Sequence, residues 1–472
     1  MAESEIKKEE KQQKEKSPDL MEKIVSLAKR RGFVFPGSEI YGGLSSSWDF
    51  GPLGVELKNN IKSLWWDKFV HRRSDIVGID ASLIMNPKVW EASGHLKEFN
   101  DPLIECKKCH ERFRADELIK SEDWIKEKKF LDTLSPGDKE QRIRQLFRKC
   151  PNCGAEGQFT RPREFTLMFK TFFGPAHSEK STVYFRPETA QAMFVNFKNV
   201  LDTTRNTLPF GIAQMGKAFR NEITTGSFLF RTREFDQMEI EYFVREKDWE
   251  QYFDYWVNEV TSWIEEVGID PKKVHGEEIP PEERAHYSKK TVDFNYDFPF
   301  GRKELYGLAY RTDFDLKNHE KMSGESLKYH DPESGEEIWP HVIEPSFGVE
   351  RTFLAVLLDA YHEEKDRIVL RLKPKVAPYK AAVFPLLANK PELVKLAKTI
   401  YGNLQKKFYV AWDDRGNIGK RYYAQDEAGT PYCITVDFDS LEKNDVTIRD
   451  RDTMKQERVP IGKLSEYISE KL

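Results

Sequence analysis

The segment from Phe219 to Glu239, FRNEITTGSFLFRTREFDQME, restricts the fold more than any other stretch of this chain. Its alternation reads as two strands joined at Thr224-Thr225-Gly226-Ser227. Yet three arginines and three glutamates stand among the phenylalanines. Alternate residues of a strand share a face, so Arg220 lies with Glu222, and Arg231 and Arg233 lie with Phe235, Gln237 and Glu239. Guanidinium forks, carboxylates and an aromatic ring in one cleft suit a nucleoside triphosphate. Arginine pairs with phosphate oxygens, phenylalanine stacks on a base, and a carboxylate accepts from an amine. A solvated face carrying cross-strand ion pairs, each contributing under ~1 kcal/mol, reads the same segment equally well.

A second segment tips the balance. Ile343-Glu344-Pro345-Ser346-Phe347-Gly348 leads through Val349-Glu350-Arg351 into the apolar helix Thr352-Phe353-Leu354-Ala355-Val356-Leu357-Leu358. Arg351 in the first turn of such a helix is usually a snorkelling surface residue. Beside the charged strand pair it becomes a candidate second clamp on the same nucleotide.

The rest of the chain supplies the frame. Leu53, Leu57, Ile61, Leu64, Trp65 and Phe69 recur every three to four positions behind Pro52, predicting a helix from Pro52 to about Arg73. Short aromatic runs over 159–245, 291–314 and 338–346 read as strands, and Glu246–Val267 reads as an amphipathic helix. This is the pattern of an α+β domain, a mostly antiparallel sheet with helices around it. Beyond Pro374-Lys375-Val376-Ala377-Pro378, strand-like and helical stretches alternate as βαβαβ, an α/β domain. Residues 1–18 read as a charged disordered tail, with five Glu and five Lys between positions 2 and 16.

Composition bounds the function. A net charge of −4 argues against indiscriminate polyanion binding, so a nucleic-acid surface must be local. No apolar run approaches the ~18 residues of a membrane span, and the N-terminus lacks an apolar signal segment. Of five cysteines, four form the pairs Cys106/Cys109 and Cys150/Cys153 around a 106–153 insertion. That usage suits metal or redox chemistry in a reducing, cytoplasmic setting. Paired CxxC knuckles point to a structural Zn²⁺, with metal-free knuckles as the other reading.

Arg220-Asn221-Glu222 with Arg231, Phe235 and Glu239 at four-residue steps resembles motif 2 of the class II aminoacyl-tRNA synthetases. Gly348-Val349-Glu350-Arg351 resembles motif 3, and the Pro52 helix behind Trp48-Asp49-Phe50-Gly51 resembles motif 1, which in that family builds a dimer interface. Arg186-Pro187-Glu188-Thr189-Ala190-Gln191, the run Glu304–Leu316 and Glu344–Gly348 resemble the homodimeric type of glycyl-tRNA synthetase, as do Arg31–Pro36 and Tyr41–Leu44. The C-terminal domain resembles the anticodon-binding domain of the threonyl, prolyl and histidyl enzymes.

The resemblance implies a class II catalytic domain over 19–375 and an anticodon-binding domain over 376–472. It implies a homodimer that activates glycine with ATP to glycyl-adenylate and transfers it to the 3′ end of tRNA(Gly). Arg220, Glu222 and Arg351 are its implied catalytic residues. Around ATP it places these together with Asn221, Phe230, Arg231, Thr232, Arg233, Glu234, Phe235, Glu304, Leu305, Gly348, Val349 and Glu350. Mg²⁺ comes with ATP, held in part by Glu304. Around glycine it places Glu188, Glu239, Glu344 and Ser346 at the amine, with Arg311, Phe235 and Gln237 in the same pocket and Arg114 reaching in. Clustered carboxylates raise one another's pKa unless a cation sits among them, and a bound ammonium relieves that strain. No amino acid is smaller than glycine, so steric exclusion suffices and an editing domain is not expected. The ten histidines show no catalytic pattern and read as surface or core. A synthetase for another small amino acid, an inactive nucleic-acid-binding accessory subunit and a small-molecule ligase are the competing readings.

Overall fold

A computed structural model describes residues 20–119, 121–175, 181–223, 226–332 and 334–472. The expected tail, and Thr224-Thr225 of the expected turn, lie outside the described residues.

Helix α1 (20–31) opens the described chain, burying Ile24, Leu27 and Ala28. The main sheet has seven strands: β1 (Ile76–Ile79), β2 (Phe210–Phe219), β3 (Glu234–Val244), β4 (Val274–Glu278), β5 (Lys290–Phe298), β6 (Gly301–Thr312) and β7 (His341–Gly348). Their order is β4-β5-β6-β7-β3-β2-β1. Every neighbouring pair is antiparallel except β2 with β1. The sequence reading of an antiparallel sheet with helices around it therefore holds.

One face of the sheet carries the helices. Met238, Ile240 and Tyr242 of β3 pack there with Leu57, Ile61 and Trp65 of α2 (Pro52–Trp66), Phe253, Trp256 and Trp263 of α3 (Trp249–Val267), and Phe353 and Leu354 of α4 (Val349–Ala360). Helix α2 starts on Pro52 at its first turn, as the sequence predicts, then widens into a π turn at Asp67–His71. Lys58 of α2 is buried, with its ammonium 2.5 Å from Asp236 of β3 and 2.6 Å from Glu350 of α4. A buried lysine is tolerated only when paired in this way. It ties together the three segments that carry the motif resemblances.

The opposite face carries Phe235, Gln237, Glu239 and Glu241 at alternate positions of β3. Register sets Ser346 of β7 opposite Glu239, and Glu344 of β7 opposite Ala309 of β6. Past Glu241 this face closes over Phe243, which packs with Phe194, Phe197 and Phe210 in a separate apolar cluster.

The 106–153 insertion has a small core of its own, with Ile104, Trp124, Ile143, Phe147 and Phe159. It is built on strands Asn100–Glu105 and Arg112–Arg114 and helices Ser121–Thr133 and Pro136–Leu146. In the C-terminal part, β8 (Ala381–Pro385), β9 (Val410–Trp412) and β10 (Tyr432–Val436) are parallel, separated by helices Pro391–Leu404 and Ile418–Ala428. This is the expected βαβαβ unit. It is extended by β11 (Asp445–Asp450), antiparallel to β10, and then by β12 (Gln456–Pro460), antiparallel to β11.

Candidate active site

Two cavities adjoin on the uncovered face of the sheet. The first is lined by Arg220, Glu222, Phe230 and Arg231 of the segment between β2 and β3. Phe235 and Gln237 come from β3, Glu304 and Leu305 from β6, and Ser346, Gly348 and Arg351 from β7 and the start of α4. The guanidinium of Arg220 stands 5.4 Å from each of the rings of Phe99 and Phe235, and its Nε donates to the Pro187 carbonyl at 3.0 Å. Arg351 lies 4.5 Å over the Phe230 ring with its Nη1 3.1 Å from the Glu304 carboxylate. That neighbour holds Glu304 below the usual carboxylate range. One carboxylate oxygen of Glu222 is buried and has no hydrogen-bond partner among the described residues. It is a ready acceptor for a ligand's N–H. Asp293 of β5 faces the second cavity. Burial, with Glu304 beside it, pushes its carboxyl up to about 7.

The second cavity shares Arg220, Gln237, Glu304 and Ser346 with the first. Its polar end collects Glu188, Glu239 and Glu344, each largely buried. Glu239 is fully engaged: Gln237 and Ser346 donate to one oxygen at 2.8 and 2.7 Å, and Thr189 donates to the other through its backbone N–H at 3.0 Å and through its hydroxyl. Glu188 takes a hydrogen bond from Gln191 at 3.1 Å and lies 3.3 Å from His95 Nε2. Burial pulls Glu188 upward, but His95, Arg311 and Gln191 outweigh it and hold it well below its ordinary range. Burial and then Glu188 raise Glu239. Burial, Glu239 and Glu188 push Glu344 up to about 8 against the pull of Arg311. Deeper on β3, Glu241 is buried with both carboxylate oxygens unpartnered among the described residues, and burial raises it well above its ordinary value. Tyr287 and the loop from Ile279 to Ala285 form the far wall.

Residues 169–361 match the family described as tRNA synthetase class II core domain (G, H, P, S and T), and residues 380–471 match the one described as Anticodon binding domain. The glycine–tRNA ligase of Caldanaerobacter subterraneus subsp. tengcongensis is 52% identical across 96% of this chain and 98% of its own length. Those of Alkaliphilus oremlandii (53%, covering 96% and 98%) and Clostridium acetobutylicum (51%, covering 97% and 100%) are as similar. The chain belongs to the glycine–tRNA ligase family. Among solved structures, the prolyl-tRNA synthetase of Cryptosporidium parvum, complexed with halofuginone and AMPPNP, superposes with a TM-score of 0.62 at 17% identity. The match covers 95% of this chain and 76% of that one, and at that identity it bears on the fold alone.

Not every residue that the family resemblance points to reaches the cleft. Arg233 precedes β3 in a bend, so the strand alternation does not extend back to it. Its guanidinium instead donates to the carbonyls of Ser45 and Glu222 at 2.9 and 3.2 Å, clipping the loop. Glu234 points to the side away from Phe235 and pairs with Lys217 at 3.0 Å. Asn221 is not among the cavity's lining residues, and the Val349 side chain is in the core on the other face. Glu350 lines the cavity, but both of its oxygens are occupied, one by Lys58 and the other by the Asp236 N–H at 2.8 Å. Arg114 lies outside both cavities, bound to Asp116 through two nitrogens and 3.0 Å from Asp101. Arg311 lies beneath the second cavity, wholly buried, gripping Asp315 and Glu344.

The sequence reading passes over His95 and Asp293. His95 is buried between Ser93, which is 2.8 Å from its Nδ1, and Glu188. It sits in no histidine pattern, and only the fold brings it to Glu188. Asp293 sits on a strand beside Glu304, a proximity set by the β5–β6 register.

The four cysteines of the insertion come together, every sulfur within 4.8 Å of the others. The Cys106–Cys153 and Cys109–Cys150 sulfurs are 3.7 Å apart. Zn–S bonds of ~2.3 Å in a tetrahedron put sulfurs about 3.8 Å apart, so this donor set fits zinc. Tight turns hold both knuckles, with Cys106 accepting from the His110 N–H and Cys150 from the Gly154 N–H.

Proposed function

We propose that the two adjoining cavities form one site in which ATP and glycine lie end to end, and that Arg220 works at their junction. As a member of its family the chain is a class II ligase that joins glycine to tRNA in an ATP-dependent reaction. The observation that supports this assignment is the shared wall: Arg220, Gln237, Glu304 and Ser346 border both cavities.

The chemistry needs no protein nucleophile. A glycine carboxylate oxygen bonds to the α-phosphorus of ATP as the bond to the β-phosphate bridge breaks, giving glycyl-adenylate and pyrophosphate. The 3′-terminal hydroxyl of tRNA(Gly) then attacks the glycyl carbonyl and AMP leaves. Positioning and charge neutralisation are the catalytic means. In this reading Arg220 grips the α-phosphate, Glu222 accepts from the adenine amine, and Phe235 and Arg351 flank the base. Phe230, Thr232, Leu305 and Gly348 shape the nucleotide cavity, and Arg231 reaches the distal phosphates. Glu188, Glu239, Glu344 and Ser346 hold the ammonium, and Arg311 supports Glu344 from below.

Mg²⁺ supplies neutralisation of the phosphate oxygens when it arrives with ATP. Glu304, with Asp293 beside it, is the carboxylate pair suited to hold it. Zn²⁺ in the four-cysteine cluster has a structural role. The chain works as a homodimer in the cytoplasm, paired through the α2 segment. An ATP–pyrophosphate exchange panel over the amino acids, followed by charging of total tRNA, tests the reading. Glycine alone should support exchange, and only the tRNA(Gly) fraction should be charged. Exchange driven by serine or alanine, or none at all, contradicts it.

A further inference from the structure

Arg231 does not stand free in the nucleotide cavity. Its Nη1 donates to Glu117 Oε1 at 2.6 Å. Glu117 belongs to helix Ala115–Leu118 of the cysteine-bracketed insertion, so the pair joins that insertion to the segment leading into β3. Neither side chain is deeply covered, with 28% and 40% of their surfaces exposed, and exposed pairs of this kind are weak. A triphosphate offers Arg231 a stronger, more highly charged acceptor. Glu117 also has a second cation at hand. Arg114 Nε lies 3.8 Å away, already anchored by Asp116 at 2.7 Å and Asp101 at 3.0 Å. The carboxylate is therefore not stranded when Arg231 leaves.

We propose that Glu117 is a positioning residue for ATP capture, parking Arg231 against the insertion while the cleft is empty and yielding it to the terminal phosphates of the nucleotide. The inference rests on the reading of this cleft as the ATP site. Parking lowers the apparent affinity for ATP in proportion to the parked fraction. It also couples the insertion to nucleotide occupancy, because each ATP that binds releases the Ala115–Leu118 helix from the β3 approach.

The test is steady-state ATP–pyrophosphate exchange with wild type, Glu117→Gln, Glu117→Ala, Arg231→Ala and the Glu117→Gln/Arg231→Ala double variant. Both Glu117 variants should lower KM for ATP about two- to five-fold, with kcat and KM for glycine unchanged. In the Arg231→Ala background the Glu117→Gln change should do nothing. An unchanged or raised KM for ATP in the Glu117 variants, or an equal effect in both backgrounds, overturns the proposal. The two layers separate cleanly. Arg231→Ala with normal KM for ATP removes the nucleotide role of Arg231, and the parking role with it. Raised KM in Arg231→Ala with silent Glu117 variants removes only the parking.

Discussion

Arg311 grips both carboxylate oxygens of Glu344, at 2.9 and 3.0 Å, from beneath the second cavity. Its remaining nitrogens hold both oxygens of Asp315, at 2.8 and 3.0 Å. One planar fork thus fixes a carboxylate that lines the second cavity and another that anchors the fork itself. Arginine supplies this geometry and lysine does not.

Arg311→Lys should therefore raise KM for glycine at least tenfold while leaving KM for ATP near its wild-type value. Arg311→Met, which takes the buried cation away from Asp315 and Glu344, should lower unfolding stability by about 3–5 kcal/mol. Exchange kinetics and denaturant melts read the two effects separately. Equal changes in both KM values would remove the special link between Arg311 and the proposed glycine pocket.

The raised carboxyl of Glu344, at about 8, gives the empty pocket a pH signature. Its folded value exceeds its ordinary 4.5, so the folded chain binds the extra proton between those limits. The stability from that proton is complete below pH 4.5 and is lost as pH rises through 8. A bound ammonium favours the carboxylate, so glycine binding near pH 7 should release ~1 proton. Glycine affinity should rise between pH 7 and 8. Calorimetry in buffers of different ionisation enthalpy measures this, and a buffer-independent binding heat at pH 7 contradicts it.

The cysteine cluster predicts one zinc ion per chain. Cys150→Ser should lose the metal and expose the small core of Ile104, Trp124 and Phe147 to hydrogen exchange, leaving the main sheet protected. Metal analysis with exchange mass spectrometry decides this, and full protection without zinc counts against it.

The sheet and its helices were legible because periodicity there is strong and long. Leu57, Ile61 and Trp65 on α2, and Phe253, Trp256 and Trp263 on α3, are the buried stripes that the spacing predicts. The charged face of β3 was legible from Phe235 onward, where strand alternation holds. It misleads at Arg233, because the chain before β3 leaves strand geometry for a 3₁₀ turn at Phe228–Phe230, and alternation carries no information there. Arg311 and Arg114 fit a family pattern, but a pattern does not tell a residue that lines a pocket from one that braces it. His95 and Asp293 come to the site through strand register and chain crossing alone, which no local sequence signal encodes.

Placed at the wall common to both cavities, Arg220 is proposed to serve the reaction between them. Glycine-dependent ATP–pyrophosphate exchange by Arg220→Ala tests that role most directly, with circular dichroism confirming the fold. The expected result is a loss of at least ~10²-fold in kcat, the scale seen when one preorganised charge-stabilising donor is removed. Exchange within a fewfold of wild type in the folded variant would contradict it.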